Sequence, residues 1–179
     1  AGVQRPRVSN FTDVSPLERY ENVSVRYIQR PDQLGEPDMI LLPGTKSTIS
    51  DLLWLRQNGL EGAILKQAAR GCVIFGICGG FQMLGSAIRD PQGVEAAGVT
   101  RVNGMKLLDV DTVFEEEKVQ RQVRGVFPAI PGVFRGLTGQ DYRGYEIHMG
   151  RSSQTEAPVL CRGNVYGSYI HGIFDGEGI

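Results

Sequence analysis

A chain of 179 residues, 41% hydrophobic and 22% charged, can form one domain with a full core. Its 19 lysines and arginines nearly balance 20 aspartates and glutamates, and without a basic run a nucleic-acid partner is not expected. Cys72, Cys78 and Cys161 lack metal-ligand spacing and the even count of a disulfide framework, and no apolar run reaches membrane-spanning length; a cytoplasmic protein with no metal site and no membrane contact is expected.

Taken in order, Ser24 to Gln29 alternates like a strand, and Met39 to Leu42 is a buried-strand run ended by Pro43-Gly44. A helix starts near Ser50 with Leu52, Leu53 and Leu55 and is interrupted at Asn58-Gly59. Leu60 to Arg70 is a second helix, ended by Gly71. Val73 to Ile77 reads as a buried strand, and Phe81 to Ile88 as a helix, with Met83, Leu84, Ala87 and Ile88 at helical spacing. This order implies parallel strands joined by crossover helices, an α/β fold of the flavodoxin-like three-layer type with a mostly parallel central sheet. Its site is expected at the carboxyl ends of the strands.

The second half changes character. Val102 to Phe114 and Gln122 to Phe127 read as strands flanking a solvated turn, Glu115 to Lys118. Gly144 to His148 and Val165 to Ile170 are shorter strands, and together these suggest an antiparallel extension of the sheet. Asp90-Pro-Gln-Gly93 and Pro131-Gly132 are turns. Ala1 lacks a start methionine and Gly176 to Ile179 stops just after a strand, so residues 1–179 read as one domain cut from a longer chain.

Gly76-Ile77-Cys78-Gly79-Gly80 is a Gly-x-Cys-x-Gly elbow between strand and helix. Glycines suit a chain that must reverse within one or two residues against close neighbours. The elbow puts Cys78 at a helix N-terminus, where unpaired N–H groups favour a thiolate and point at a developing oxyanion. Cys78 is therefore the candidate nucleophile. A base must come from one of two histidines. His171 follows the strand ending at Ile170 and His148 ends another short strand, so either could reach Cys78, with His171 the better placed. Gly44-Thr-Lys-Ser-Thr48 is not a phosphate-binding loop, because Thr45 rather than glycine precedes Lys46 and Ile40 stands where the upstream glycine is needed. Arg124, Arg143 and Arg151 could bind carboxylates of an acceptor, though a solvated surface is the simpler expectation.

The elbow resembles the nucleophile motif of class I glutamine amidotransferases, Gly-x-Cys-x-Gly-x-Gln. Four further segments are similar to the amidotransferase domains of cobyric acid synthases: Arg7 to Pro16, Leu41 to Thr48, Gly144 to Arg151, and Tyr166 to Asp175. The resemblance runs from about residue 7 to the end. It implies that Cys78 attacks the side-chain amide of L-glutamine to give a γ-glutamyl thioester, with His171 as acid and base. Gly44 and Gly79 match positions that offer N–H groups to the oxyanion, and Gln82 matches a residue that holds the substrate; Thr45, Lys46 and Ser47 either shape the loop over that pocket or face the missing domain. The resemblance also implies an N-terminal synthetase domain that binds ATP and Mg2+. With the ammonia, that domain would amidate a corrinoid acceptor, adenosyl-cobyrinic acid a,c-diamide, in cobalamin biosynthesis. No cofactor is expected in this domain.

Many class I amidotransferases carry a glutamate two residues after the histidine. Ile173 stands there in this chain, which leaves Glu146 or Asp175 as the candidate to orient His171. Two other functions are compatible with the motifs. One is a related amidotransferase that forms the a,c-diamide or acts on a cell-wall lipid precursor. The other is a non-catalytic interaction domain.

Overall fold

The structure is a computed structural model that describes residues 1–4 and 12–176. A six-stranded sheet forms its centre, in the order β2 (Tyr27–Ile28), β1 (Gly2–Val3), β3 (Met39–Leu42), β4 (Val73–Ile77), β10 (Val165–Ser168) and β9 (Leu160–Arg162). All neighbours are parallel except β9, which runs antiparallel to β10. The runs at β3 and β4 are apolar throughout because the sheet is buried on both faces. Ile40, Leu42 and Ile74 pack against α1 (Thr48–Gln57) and α2 (Leu60–Ala69) through Ile49, Leu52, Leu55, Leu60 and Ile64. Leu41, Phe75 and Ile77 enter a second cluster with Phe127, Ile130, Tyr166 and Phe174.

That second face is covered without long helices. Phe134, in a 3-10 turn spanning Gly132–Leu137, meets Phe75 edge-on at 5.4 Å, and Phe174 meets Phe75 at 5.0 Å. Arg56 and Glu61 clip α1 to α2 at 2.5 Å, but Arg56 is 38% exposed and such a pair is worth about 0–1 kcal/mol. Burying Leu52 or Leu60 completely contributes about 1.5–3 kcal/mol each, so apolar packing outweighs the clip.

Strand β3 and helices α1 and α2 lie where the sequence pattern puts them, to within two residues at the helix ends; β4 matches to the residue. The helix after the elbow does not. α3 covers only Gly79–Leu84, and Ala87–Arg89 is strand β5. Gly85 is extended, and the backbone N–H groups of Met105, Lys106 and Leu107 bond to the carbonyls of Met83, Gly85 and Leu84, which closes the helix early. Only β9 extends the first sheet in antiparallel fashion. The rest of the second half forms a second, mixed sheet in the order β6 (Arg101–Asn103), β5, β7 (Asp111–Val126) and β8 (Asp141–Ser152), antiparallel except for the parallel pair β5 and β7. Glu115 to Lys118 is no free turn but an irregularity inside the 16-residue β7, where the register with β8 shifts between Val113 and Lys118. Among the described residues no helix is long and apolar enough to cross a membrane. Of the Arg7 to Pro16 segment, residues 7–11 lie outside the described residues.

Candidate active site

Three adjacent parallel strands end together: β3 leads to Gly44, β4 to Cys78 and β10 to His171. Cys78 has φ 51° and ψ −111°, a backbone conformation that costs an L-residue on the order of 1–3 kcal/mol. The elbow is held by Cys78 N–H donating to Ser168 O at 2.8 Å and by Gln82 N–H donating to Cys78 O at 3.0 Å. Its flanking glycines are required by close approach. A Cβ on Gly80 would lie 2.0 Å from Leu42 O, and one on Gly79 would lie 2.6 Å from Thr45 Cγ2. Cys78 is 5% exposed, and its Sγ lies 3.3 Å from the carbonyl of Ile147.

His171 stands beside Cys78, across the space next to Gly44. A Cβ on Gly44 would lie 2.7 Å from His171 Cε1 and 3.6 Å from Cys78 Cβ, so the ring occupies the space beside that glycine. On the other edge of the ring, Nδ1 donates to Asp13 Oδ2 at 2.8 Å, while Gly172 N–H donates to Asp13 Oδ1 at 3.0 Å. Strand β8 crosses the site through the mutual backbone bonds of Tyr145 and His171, and the two rings stack at 5.1 Å. Burial alone would push the imidazole's pKa down. The hydrogen bonds and charges of Asp13 and Cys78 win, and the pKa rises to about 10.

The carboxylate at His171 is therefore neither of the two expected. Successive residues on a strand face opposite ways, so with Tyr145 stacked on the imidazole, Glu146 is turned from it. Glu146 accepts from Arg121 Nε at 2.7 Å instead. Asp175 lies beyond Gly172, close to Asp13 and Arg19; burial, with Asp13's charge, pushes its carboxyl up despite the guanidinium.

A cavity of about 350 Å³ opens beside Cys78, lined among others by Thr45, Lys46, Glu95, Lys118 and His148. Gln82 forms its base and is 2% exposed. Both ends of the Gln82 amide are engaged: Oε1 accepts from Thr48 Oγ1 at 3.0 Å, and Nε2 donates to Met149 O and Tyr169 Oη. Glu95 accepts from the Thr48 and Ile49 N–H groups at the start of α1, and burial pushes its carboxyl up against those bonds. The loop that carries Glu95 is wound around Asp90, whose carboxylate accepts from Val94, Glu95 and Ala96 N–H. His148 is in the same cavity, but among the described residues no carboxylate is hydrogen-bonded to its ring, and Glu146 acts on it only through its charge. Its Nδ1 lies 2.9 Å from Gly150 O, its ring stacks on Tyr169 at 3.7 Å, and burial pushes its pKa down.

Residues 1–179 match the CobB/CobQ-like glutamine amidotransferase domain family. The chain belongs to that family. Cobyric acid synthase of Lachnoclostridium phytofermentans is 48% identical to it, with 100% of this chain aligned to 39% of the relative. The cobyric acid synthase of Ruminiclostridium cellulolyticum is 44% identical, with 100% of this chain on 38% of the relative. The chain thus spans about two fifths of the length of these relatives. Among solved structures, a glutamine amidotransferase superposes with TM-score 0.63 at 16% identity, over 95% of this chain and 88% of the other. PurLQS from Thermotoga maritima gives TM-score 0.63 at 19% identity, over 95% and 85%. At these identities the likeness is one of fold.

Within this amidotransferase domain, Cys78, His171, Gly44, Thr45, Gly79 and Gln82 converge on one site. Asp13, Glu95 and Lys118 were not anticipated there. Asp13 stands in the Arg7 to Pro16 segment that carried the resemblance, so a carboxylate in that motif was the available signal. Lys118 reaches the cavity because of the irregularity in β7, which no periodicity announces. Of the three arginines considered, Arg151 pairs with Glu115 and Glu117, whereas Arg124 and Arg143 face each other across β7 and β8 at a separate groove. Among the described residues no three His, Cys, Asp or Glu side chains gather as around a metal ion.

Proposed function

We propose that this chain hydrolyses L-glutamine and delivers the ammonia to an ATP-dependent amidation of a corrinoid, converting adenosyl-cobyrinic acid a,c-diamide to adenosyl-cobyric acid. One observation carries the reading: a cysteine in strained backbone at an elbow, beside a histidine whose Nδ1 meets a buried carboxylate. The relatives named above, both cobyric acid synthases, support the acceptor.

Cys78 sulfur attacks the γ-carbonyl carbon of glutamine, and His171 holds the proton that the thiol gives up. The tetrahedral oxyanion draws on N–H groups of the elbow and of the β3 loop, that of Gly79 first, since it lies in the first turn of α3. His171 passes its proton to the departing nitrogen, the C–N bond breaks, and ammonia leaves a γ-glutamyl thioester. Water then attacks the thioester with His171 as base, which releases glutamate and returns the sulfur to its starting state. Lys46 and Lys118 give the cavity positive charge and Glu95 gives it negative charge, a match for the α-carboxylate and α-ammonium of an amino acid. Gln82, held by Thr48, Met149 and Tyr169, lines the cavity with both donors of its amide in use and one acceptor position of Oε1 left for substrate.

The partner in this reading is a synthetase unit that binds ATP, Mg2+ and the corrinoid, in keeping with the greater length of the relatives. The test is glutamine hydrolysis beside mass spectrometry after a diazo-ketone glutamine analogue. Labelling confined to Cys78 and abolished in Cys78→Ser is the expected result. A folded protein that turns over glutamine equally well as Cys78→Ser would overturn the reading.

A further inference from the structure

We infer that Asp13 is the positioning residue of His171, supplying from the N-terminal part of the chain the carboxylate that many class I amidotransferases carry two residues after the histidine. The inference rests on the glutaminase reading above. Asp13 and His171 are 158 residues apart in sequence, yet one carboxylate takes both the imidazole Nδ1–H and the N–H of Gly172. The aspartate side chain is 1% exposed, so its charge is screened from water and needs those two donors.

Both sides of the contact rest on the same core. Val14, next to Asp13, packs in one apolar cluster with Ile170, Ile173 and Phe174, which flank His171. Ile173, at the position of the missing glutamate, is 3% exposed within that cluster and offers the ring no polar atom. The groups around the imidazole are Asp13 from the N-terminal segment, Cys78 from the elbow, Tyr145 from β8 and Asp175 from the C-terminal loop, with His148 farther along β8. Among these only Asp13 is bonded to Nδ1, which leaves Nε2 on the side of Cys78. A second hydrogen bond, to the histidine's own loop, keeps the carboxylate from swinging away when the ring changes charge.

The chain has two histidines, so a ¹⁵N-histidine spectrum resolves each ring. In the wild-type chain at neutral pH, His171 should show both nitrogens protonated and a strongly deshielded Nδ1 proton. Asp13→Asn presents an N–H to Nδ1, so the ring should become neutral with its proton on Nε2, the wrong tautomer to take a proton from Cys78. Glutamine turnover should then fall by about 10²–10⁴-fold, the scale of a triad histidine left in the wrong tautomer, with KM changed by less than about threefold. A wild-type spectrum with bare Nδ1 would overturn the inference, and needs no variant to fold. So would a folded Asp13→Asn protein with unchanged turnover while the analogue still labels wild-type Cys78. If the analogue leaves wild-type Cys78 unlabelled, the glutaminase reading falls instead, and with it any catalytic part for Asp13.

Discussion

The two sheets meet at the site but contribute in different ways. The parallel sheet brings three strand ends side by side and sends from them the groups proposed to react, with backbone held by neighbours on both sides. The β7–β8 ribbon contributes a wall: the Tyr145 ring against His171, the Ile147 carbonyl near Cys78, the Met149 carbonyl on Gln82, and Lys118 at an irregularity. The two histidines divide along the same line. His171, at a parallel-strand end with a carboxylate behind it, gains proton affinity; His148, on the ribbon with a carbonyl behind it, loses it. The group behind each ring and the burial around it set the direction of its proton affinity.

The sharpest way to break the strand-end arrangement is Gly44→Ala. The added Cβ would sit 2.7 Å from His171 Cε1, so the ring must move. A displacement of that order costs about 100-fold in glutamine turnover. Stability should fall by about 1–3 kcal/mol from overpacking. Steady-state kinetics with a denaturant titration would read both, and near-normal turnover would mean that the ring position is not critical.

A smaller effect should follow the proton on His171. Its folded pKa, about 10, lies above the ordinary 6.5, so the protonated ring stabilises the fold fully below about pH 6.5 and loses that contribution as pH rises towards 10. The gap in unfolding free energy between wild type and His171→Gln should therefore be level in acid and narrow between those values. A gap that widens with pH would contradict the Asp13 contact. For His148 the sign is reversed, because its lowered pKa makes stability fall as pH drops below 6.5.

The least effect is expected from Glu146→Gln. It removes a pair whose Arg121 side chain is 66% exposed, worth about 0–1 kcal/mol, and it leaves Asp13 in place. Turnover should stay within about twofold, an energy below 1 kcal/mol. A loss comparable to that of Asp13→Asn would return Glu146 to the histidine.

The elbow was legible because its cause is local. Apolar residues of strand length, then glycines around one cysteine, then a helical pattern follow one another within some fifteen residues, and backbone sterics permit few other paths. β3 and β4 were legible for a similar reason, since a strand buried on both faces must be apolar throughout. The end of α3 was missed because Ala87 and Ile88 continue a helical spacing that the 105–108 loop overrides by bonding to the last carbonyls. The ribbon was misread because Glu115 to Lys118 is as polar as a turn, while its pairing depends on β8, some thirty residues away.

By itself, then, the sequence determined β3, β4, the two helices between them, the cysteine at the elbow and two histidines at strand ends, because each follows from interactions among neighbours along the chain. That Val165–Ser168 runs parallel to β4 rather than in the antiparallel part was left to the tertiary structure. Only the tertiary structure decided which carboxylate stands behind His171, that Glu146 faces Arg121, and that Glu95 and Lys118 border the cavity. These contacts join residues dozens to more than a hundred positions apart. Their partners are selected by packing and register, and no local pattern encodes either.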